Sequence, residues 1–470
     1  MNKISSNNKI KRFASNFRIA VLGLEKDFVS GSIERAIFML SVPMILEMMM
    51  ESLFAVVDVF FVGKLGVDAI ATVGLTEAII MIVYSICVGL SMGVTAMVSR
   101  RVGEKKYKDA SDVAFQSILI GVFLAFIIGV IGFIFAKDLL HLMGASDELI
   151  SQGYGYTQVL IGGNVTIMLL FILNAVFRGA GDASIAMRAL WISNGLNLIL
   201  DPLFIFGIGS WDGLGVQGAA IATTIGRSVG VGYQLYILFN GKSVIKLIKA
   251  NMVFRFKIMQ RLIKVSLGGM GQYLISTASW IFLVRIISYF GSDAVAGYTI
   301  SIRIIIFTIL PSWGISNAAA TLVGQNLGAS QPERAEKSVW KCAFYNMIFL
   351  FVVSIVFFVF ADFLVGIFNA KGEVLNYGVI ALRYICVGYV FFAYGMVVSQ
   401  AFNGAGDTRT PTIVNFFSYW MLQIPLAYLL AMYTAFEIKG IYIAILAAEI
   451  FLAIVIVLIF RKGKWKLVKV

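Results

Sequence analysis

The sequence predicts an all-α membrane protein in which twelve spanning helices form two parallel repeats of six. Three observations predict this fold class: an apolar composition, a repeat at a spacing of 225 residues, and the placement of the basic residues. Hydrophobic residues make up 60% of the 470 residues, charged residues make up 13%, and the mean hydropathy is +0.90. A soluble domain cannot bury that much apolar surface, whereas a lipid bilayer requires it.

The repeat is visible in three pairs of segments that keep one spacing. The sequence FRGAGD at 177–182 returns as FNGAGD at 402–407. GVDAIA at 66–71 returns as GSDAVA at 291–296, and Gly103 returns as Gly328. Constant spacing over more than a hundred residues indicates a duplicated half.

Apolar runs between these points are long enough to cross a hydrocarbon core of ~30 Å. Backbone groups in lipid must be hydrogen-bonded internally, so each run is expected to be a helix. The predicted spans are 36–63, 69–98, 112–136, 151–177, 184–208, 217–240, 260–289, 294–323, 339–368, 375–402, 410–434 and 439–460. Six spans per half return the chain to its starting side, so the halves are parallel repeats about an axis along the membrane normal.

The domain organisation follows from these spans. It comprises an N-terminal tail (1–35), a first six-helix lobe (36–240), a linker (241–259), a second six-helix lobe (260–460) and a C-terminal tail (461–470).

The net charge of +13 is concentrated in the tails, the linker and the segment 100–108, which alternate with loops poor in Lys and Arg. This is the positive-inside pattern, and it predicts that both termini are cytoplasmic. The same distribution argues against nucleic acid as a partner. The three cysteines, Cys87, Cys342 and Cys386, lie in or beside apolar runs and are expected to be buried thiols.

Ionisable residues inside spans are costly and are functional candidates by default. Glu47, Glu51 and Asp58 all fall in the first span. At about 100° per residue they share one face, which must point into the protein. Glu47 and Glu51 are candidates to line a substrate cavity, or to pair with a basic side chain.

Asp58 and Asp201 are predicted to lie at similar depth, since each precedes a glycine that ends its span by five or six residues. Both would lie roughly 8–9 Å inside the outer end. Asn197 is one helical turn from Asp201, and Thr223 enters the sixth span from the same side. Carboxylate, amide and hydroxyl oxygens are ligands for a hard cation, so these four residues form a candidate site for Na⁺ or for a proton. No other metal site is predicted.

The second half has no equivalent of these acids at the 225-residue spacing. Asp58 maps to Leu283 and Asp201 maps to Leu426. Arginines occur in its spans instead: Arg285, Arg303 and Arg383. The difference predicts that the first lobe carries the coupling ion.

The sequence contains no phosphate-binding loop, no paired-histidine metal signature and no nucleophile elbow. An enzyme and an ATP-driven pump are therefore disfavoured, no cofactor is expected, and energy would come from an ion gradient. The Gly-Ala-Gly-Asp turns are interpreted as helix ends, in which Gly is left-handed and Asp caps the next helix. Pro43 and Pro202 would open the hydrogen-bond ladder of their spans and are candidate hinges.

Four motifs resemble those of the multidrug and toxic compound extrusion (MATE) transporters. They are SVPMI with VDVFFVG in the first span, NLILDP at 197–202, GAAIAT at 218–223, and both Gly-Ala-Gly-Asp turns. They occur in the family's order, and the resemblance covers nearly the whole chain after residue 30. It implies twelve helices in two V-shaped lobes that open alternately to each side of the membrane.

The resemblance also implies a function, namely export of cationic and amphipathic drugs in exchange for H⁺ or Na⁺, by a monomer in the bacterial cytoplasmic membrane. The acids on spans one and five are similar to the DinF-like branch, in which Asp58, Asn197, Asp201 and Thr223 would respond to the cation. Another branch carries an acid on span seven. This sequence has none between 268 and 287, where Gln272 and Ser276 are polar candidates for the substrate cavity, as is Asn174 in span four.

A lipid-linked oligosaccharide flippase of the same superfamily is the alternative. It would need a basic cavity, for which the candidates are Arg227, Arg285, Arg303 and Arg383.

Overall fold

The computed structural model describes residues 2–25 and 27–470, so Met1 and Lys26 of the predicted N-terminal tail lie outside the description. The first half contains α1 (Asn2–Leu22), α2 (Ile33–Gly63), α3 (Val67–Gly103), α4 (Tyr107–Ile134), α5 (Ala136–Leu142), α6 (Asp147–Gly162), α7 (Val165–Ala180), α8 (Ala183–Phe206) and α9 (Val216–Phe239). A two-stranded hairpin, β1 (Gly207–Ile208) and β2 (Trp211–Asp212), joins α8 to α9.

The second half contains α10 (Phe256–Ile287), α11 (Ser292–Gly328), α12 (Pro332–Val359), α13 (Ala361–Gly366), α14 (Gly372–Val387), α15 (Tyr389–Ala405), α16 (Arg409–Asn415), α17 (Ile424–Tyr433) and α18 (Ile438–Arg461). A π-helix (Phe416–Gln423) separates α16 from α17. Short 3₁₀ helices span Lys249–Asn251, Ser288–Phe290 and Lys464–Leu467.

The structure confirms a polytopic helical fold. In the described part of the chain, nine helices are long and apolar enough to cross a membrane, and the bent pair α14–α15 would make a tenth. The remaining two predicted spans, the first and the sixth, correspond to α2 and α9, which have 31 and 24 residues. These two helices carry Asp58 and Thr223 of the predicted cation site.

Several boundaries differ from the sequence prediction. The linker 241–259 is shorter than expected, because α10 already begins at Phe256, and the N-terminal tail contains α1. The tenth span is bent by 57° at Gly388, between α14 and α15. The eleventh contains the π-helix, a rare element that is frequent at functional sites.

Two lobes, α2–α9 and α10–α18, meet where α3 packs on α10 and α2 packs on α11. Each lobe has its own apolar core, with Leu90 and Phe177 among the fully buried residues of the first and Leu382 and Tyr442 in the second. All three cysteines are free and buried, as predicted.

The two Gly-Ala-Gly-Asp turns lie at the same end of the bundle, which we call the tail end because the segment before α2 and the segment after α18 also pack there. The side chain of Phe28 lies against Gly181, and that of Val470 lies against Gly406. Both glycines are left-handed, with φ of +87° and +90°, as the sequence predicts.

The two aspartates of these turns differ in role. Asp407 caps the following helix, because its Oδ1 accepts from the amide of Thr410 at 3.2 Å. Asp182 makes no such cap. Its carboxylate accepts from the hydroxyl of Ser243 and the amide of Val244, and thereby fixes the linker to the first lobe. The predicted capping role is therefore correct for Asp407 and wrong for Asp182.

Candidate functional site

A central cavity of about 410 Å³ lies between the two lobes. Residues from α2, α3, α7, α8 and α9 line one side of it, and residues from α10, α11 and α15 line the other. Glu47, Glu51 and Asn174, which were predicted for the substrate cavity, all line it. Aromatic and methionine side chains supply much of the wall, namely Tyr84, Phe171, Tyr273, Trp313, Met48, Met81 and Met92. A wall of large, adaptable apolar groups suits ligands of varied shape.

The cavity also contains a buried ion pair. Arg178 Nη1 donates to Glu47 Oε1 at 2.9 Å, with 11% of the arginine side chain and none of the glutamate exposed. Glu47 therefore both lines the cavity and pairs with a basic group, the two alternatives that the sequence left open. Glu47 Oε2 has no hydrogen-bond partner in the described structure, so the carboxylate can still accept a bond from a ligand.

Two further charged residues line the same wall. Glu51 Oε2 accepts from Asn194 Nδ2 at 3.1 Å, so its partner is an amide and not the basic group considered as an alternative. Arg227 is 8% exposed and donates to the hydroxyl of Tyr84 at 3.3 Å. Among the described residues of the wall, the charged ones are two acids and two arginines, so their charges balance.

The structure brings together three of the four residues predicted for the cation site. Asn197 Nδ2 donates both to Asp201 Oδ1 at 3.0 Å and to Thr223 Oγ1 at 3.1 Å. Asp201 is fully buried and Asn197 is 2% exposed. In the described structure, Asn197 Oδ1 and Asp201 Oδ2 have no hydrogen-bond donor. Two buried oxygens without partners carry a cost of about 1–3 kcal/mol each, which a bound cation or proton would offset.

Asp58 makes no hydrogen bond to these three residues among the described contacts, and its side chain is partly exposed. The two carboxylates nonetheless interact electrostatically, so Asp58 lies near Asp201 without a hydrogen bond to it. Its other charged neighbours are Glu77 and Arg227. No group of three or more His, Cys, Asp or Glu residues able to hold a metal ion occurs in the described part of the chain. Within the site, the amide of Asn197 links the carboxylate of Asp201 to the hydroxyl of Thr223, and Asp58 lies outside this network.

Sequence reasoning missed Glu77 and Arg178. Glu77 lies in α3 and interacts electrostatically with Arg303 of the second lobe. Its position inside the predicted second span was the signal that could have revealed it. Arg178, at the end of α7, was hidden inside the Gly-Ala-Gly-Asp motif and was interpreted only as part of a turn.

Gln272 and Ser276 do not line the central cavity, contrary to prediction. Ser276 lines a separate cavity within the second lobe. Gln272 instead accepts through Oε1 from Asn403 Nδ2 at 3.2 Å, and Asn403 lines the central cavity. The reason is the rotation of α10 about its own axis, which turns the face that carries Tyr273 toward the central cavity. Pro43 and Pro202 lie inside α2 and α8, so the hinges stay predictions.

Of the four arginines considered for a basic cavity, Arg227 lines it and the other three do not. Arg383 pairs with Asp362 at 2.6 Å, and Arg285 lies over the ring of Tyr289 at 5.8 Å. The positive charge of Arg303 interacts with the carboxylate of Glu77.

Comparisons with known proteins agree with this architecture. The MatE family model matches residues 43–203 and 270–429, one match in each half. A relative from Thermotoga maritima, named probable multidrug resistance protein NorM, is 26% identical over 434 residues, which cover 92% of this chain and 93% of the relative. A protein from Shewanella oneidensis named FAD transporter is 24% identical over 399 residues, covering 85% and 88% of the two chains.

A solved structure of a MATE protein in complex with MaL6 superposes with a TM-score of 0.88 at 27% identity, covering 93% of this chain and 97% of that one. The duplicated lobes, the charged cavity between them and the matched family model lead to one conclusion. The chain belongs to the MatE family of multi-pass membrane transporters.

Proposed function

We propose that the protein exports amphipathic, positively charged drugs from a bacterial cell across the cytoplasmic membrane, in exchange for H⁺ or Na⁺. Both termini would lie in the cytoplasm, and the two lobes would expose the central cavity alternately to each side. The multidrug resistance name of the Thermotoga maritima relative supports the substrate class.

The observation that carries the proposal is the pair of unpartnered oxygens on Asn197 and Asp201, held in place by Thr223. A cation or proton there would neutralise the negative charge of the acids in the first lobe near Asp58. Because the same lobe supplies Glu47 and Glu51 to the cavity wall, filling the site would weaken the attraction for a positively charged substrate. The substrate would then leave as the ion enters.

The Shewanella oneidensis relative is named for an anionic cofactor, and Arg178 and Arg227 do line the cavity. The two carboxylates on the same wall offset both arginines, and a flippase would need a cavity with excess positive charge. We therefore favour the drug antiporter over the flippase.

The test is export of a fluorescent cationic drug from proteoliposomes with an imposed pH or Na⁺ gradient. The wild type should respond to at least one gradient. Asp58→Asn should abolish that response while the protein stays folded and inserted. Asp68→Asn is the matched control, because Asp68 is exposed at the start of α3. Drug export by Asp58→Asn at the wild-type rate against a gradient would refute the proposal.

A further inference from the structure

The second lobe has a cavity of its own, of about 220 Å³, separate from the cavity between the lobes. Its walls come from α10, α11, α14, α15, α18 and the π-helix. Among the described residues that line it, Glu449 of α18 is the charged one. Glu449 lies in the twelfth predicted span and is not among the predicted site residues. An ionisable side chain inside a span is by default a functional candidate.

The π-helix brings two polar side chains to this cavity. Tyr419 OH donates to Glu449 Oε1 at 3.2 Å, and Ser279 Oγ donates to Gln423 Oε1 at 3.2 Å. Both Tyr419 and Gln423 belong to the π-helix. A π turn holds one residue more than an α turn, so it changes which side chains face the cavity from that point onward.

The electrostatic surroundings of Glu449 contain no compensating charge among the described lining residues. The other titratable groups that face the cavity are phenols: Tyr298 from α11, Tyr389 from α15 and Tyr419 from the π-helix. α10 contributes two serines and a tryptophan, and α14 contributes Ile385. A carboxylate without a counter-charge is costly to bury, and binding a proton removes that cost.

Polar groups lie between this cavity and the central one. Ser276, which lines the second-lobe cavity, donates to the backbone carbonyl of Gln272 at 3.0 Å. The side chain of Gln272 accepts through Oε1 from Asn403 Nδ2, and Asn403 lines the central cavity. Asn403 Oδ1 is itself buried without a donor in the described structure.

We propose that Glu449 is a second proton-binding site, in the second lobe, and that it takes up and releases a proton during the transport cycle. The proton would bind Oε2, the oxygen to which no described group donates. A proton fits better than a metal ion, because a hard cation takes about six oxygen ligands and this cavity offers one carboxylate. The proposal rests on the proposed function only where it gives the proton a role in transport, because proton binding itself can be measured without substrate.

The experiment is infrared difference spectroscopy of the purified full-length protein, recorded as a pH titration in the absence of drug. The carbonyl band of a protonated carboxyl should titrate in the wild type, and one component of it should be lost in Glu449→Gln. Glu437→Gln is the matched control, because Glu437 is exposed at the start of the same helix. A band of unchanged amplitude in a folded Glu449→Gln protein would overturn the proposal.

Tyr419→Phe guards against a Glu449→Gln protein that does not fold. It removes the hydrogen bond but keeps the carboxyl, so the Glu449 component should persist with a shifted midpoint and frequency. A spectrum identical to the wild type would contradict the assignment.

Transport then separates this proposal from the proposed function. The number of protons moved per drug in proteoliposomes should fall in Glu449→Gln. If Asp201→Asn stops ion-driven export while Glu449→Gln changes neither the band nor the proton count, the second site is refuted and the antiporter stands. If wild-type export ignores both gradients while the band disappears in Glu449→Gln, the antiporter is refuted and the proton site stands.

Discussion

Gly103 and Gly328, which are 225 positions apart in the repeat, face each other where the two lobes meet. A Cβ built on Gly328 would lie 3.0 Å from the Cα of Gly103 and 2.2 Å from the carbonyl oxygen of Arg100. A Cβ on Gly103 would lie 2.0 Å from the carbonyl oxygen of Gln325. The ends of α3 and α11 thus touch backbone to backbone, and they close the tail end of the central cavity.

We predict that Gly103→Val or Gly328→Val disfavours this closed arrangement. Overpacking costs typically about 1–3 kcal/mol, which is a shift of roughly 5-fold to 150-fold in the ratio of closed to open forms. The measurement is the distance between spin labels at Lys106 and Gln331, both exposed near the contact. Gly74→Val in the same α3 helix is the control, because nothing lies within 4 Å of its Cβ. An unchanged distance distribution in both contact variants would contradict the interpretation.

The Glu47–Arg178 pair predicts a stability effect. Glu47→Gln leaves the largely buried Arg178 without its counter-charge and should lower the free energy of unfolding by about 3 kcal/mol. Equilibrium unfolding in detergent measures this value. Glu34→Gln in the same helix should have a much smaller effect, because its pair with Lys341 is half-exposed and screened by solvent. Equal effects of the two variants would show that the buried pair has no special role.

The proposed orientation predicts a labelling pattern. Ala180 and Ala405, in the Gly-Ala-Gly-Asp turns, are 3% and 0% exposed, so a cysteine there would resist reagents from either side. Exposed positions are informative instead. Cysteines at Lys106 and Gln331 should resist an impermeant thiol reagent added to intact cells, whereas one at Leu142, which is 81% exposed beyond the opposite end of α4, should react. The reverse pattern would invert the proposed topology.

Thr223 holds Asn197 in the cation site by accepting its second hydrogen bond. Thr223→Val removes that acceptor, and Asn197 should then lose its fixed orientation toward Asp201. We expect the midpoint of the pH or Na⁺ dependence of drug binding to shift. Drug affinity itself should change little when the site is empty, at high pH or without Na⁺. Thr224→Val is the control, because its hydroxyl bonds only the carbonyl of Ala220 among the described contacts. A midpoint equal to that of the wild type would exclude an ordering role for Thr223.

The sequence predicted those features that depend on local spacing. Asn197 and Asp201 are four residues apart and are therefore predicted to lie on one face of a helix. In the structure a hydrogen bond joins them. The glycines of the turns were predicted because a left-handed helix end favours a residue without a Cβ. Features that depend on helix rotation or register were not predictable in this way. Gln272 and Ser276 face away from the central cavity, and the contact of Tyr419 with Glu449 depends on the π-helix, which the sequence did not predict.

The central claim is that an ion and a drug compete through the first lobe. Equilibrium binding of a fluorescent cationic drug to the purified protein, at several pH and Na⁺ values, tests it most directly. Linkage requires each ligand to weaken the other by the same factor, so affinity should fall as protons or Na⁺ rise. Asp201→Asn should remove that dependence, while Asp68→Asn should retain it. Drug affinity in the wild type that stays constant across both pH and Na⁺ would contradict the account.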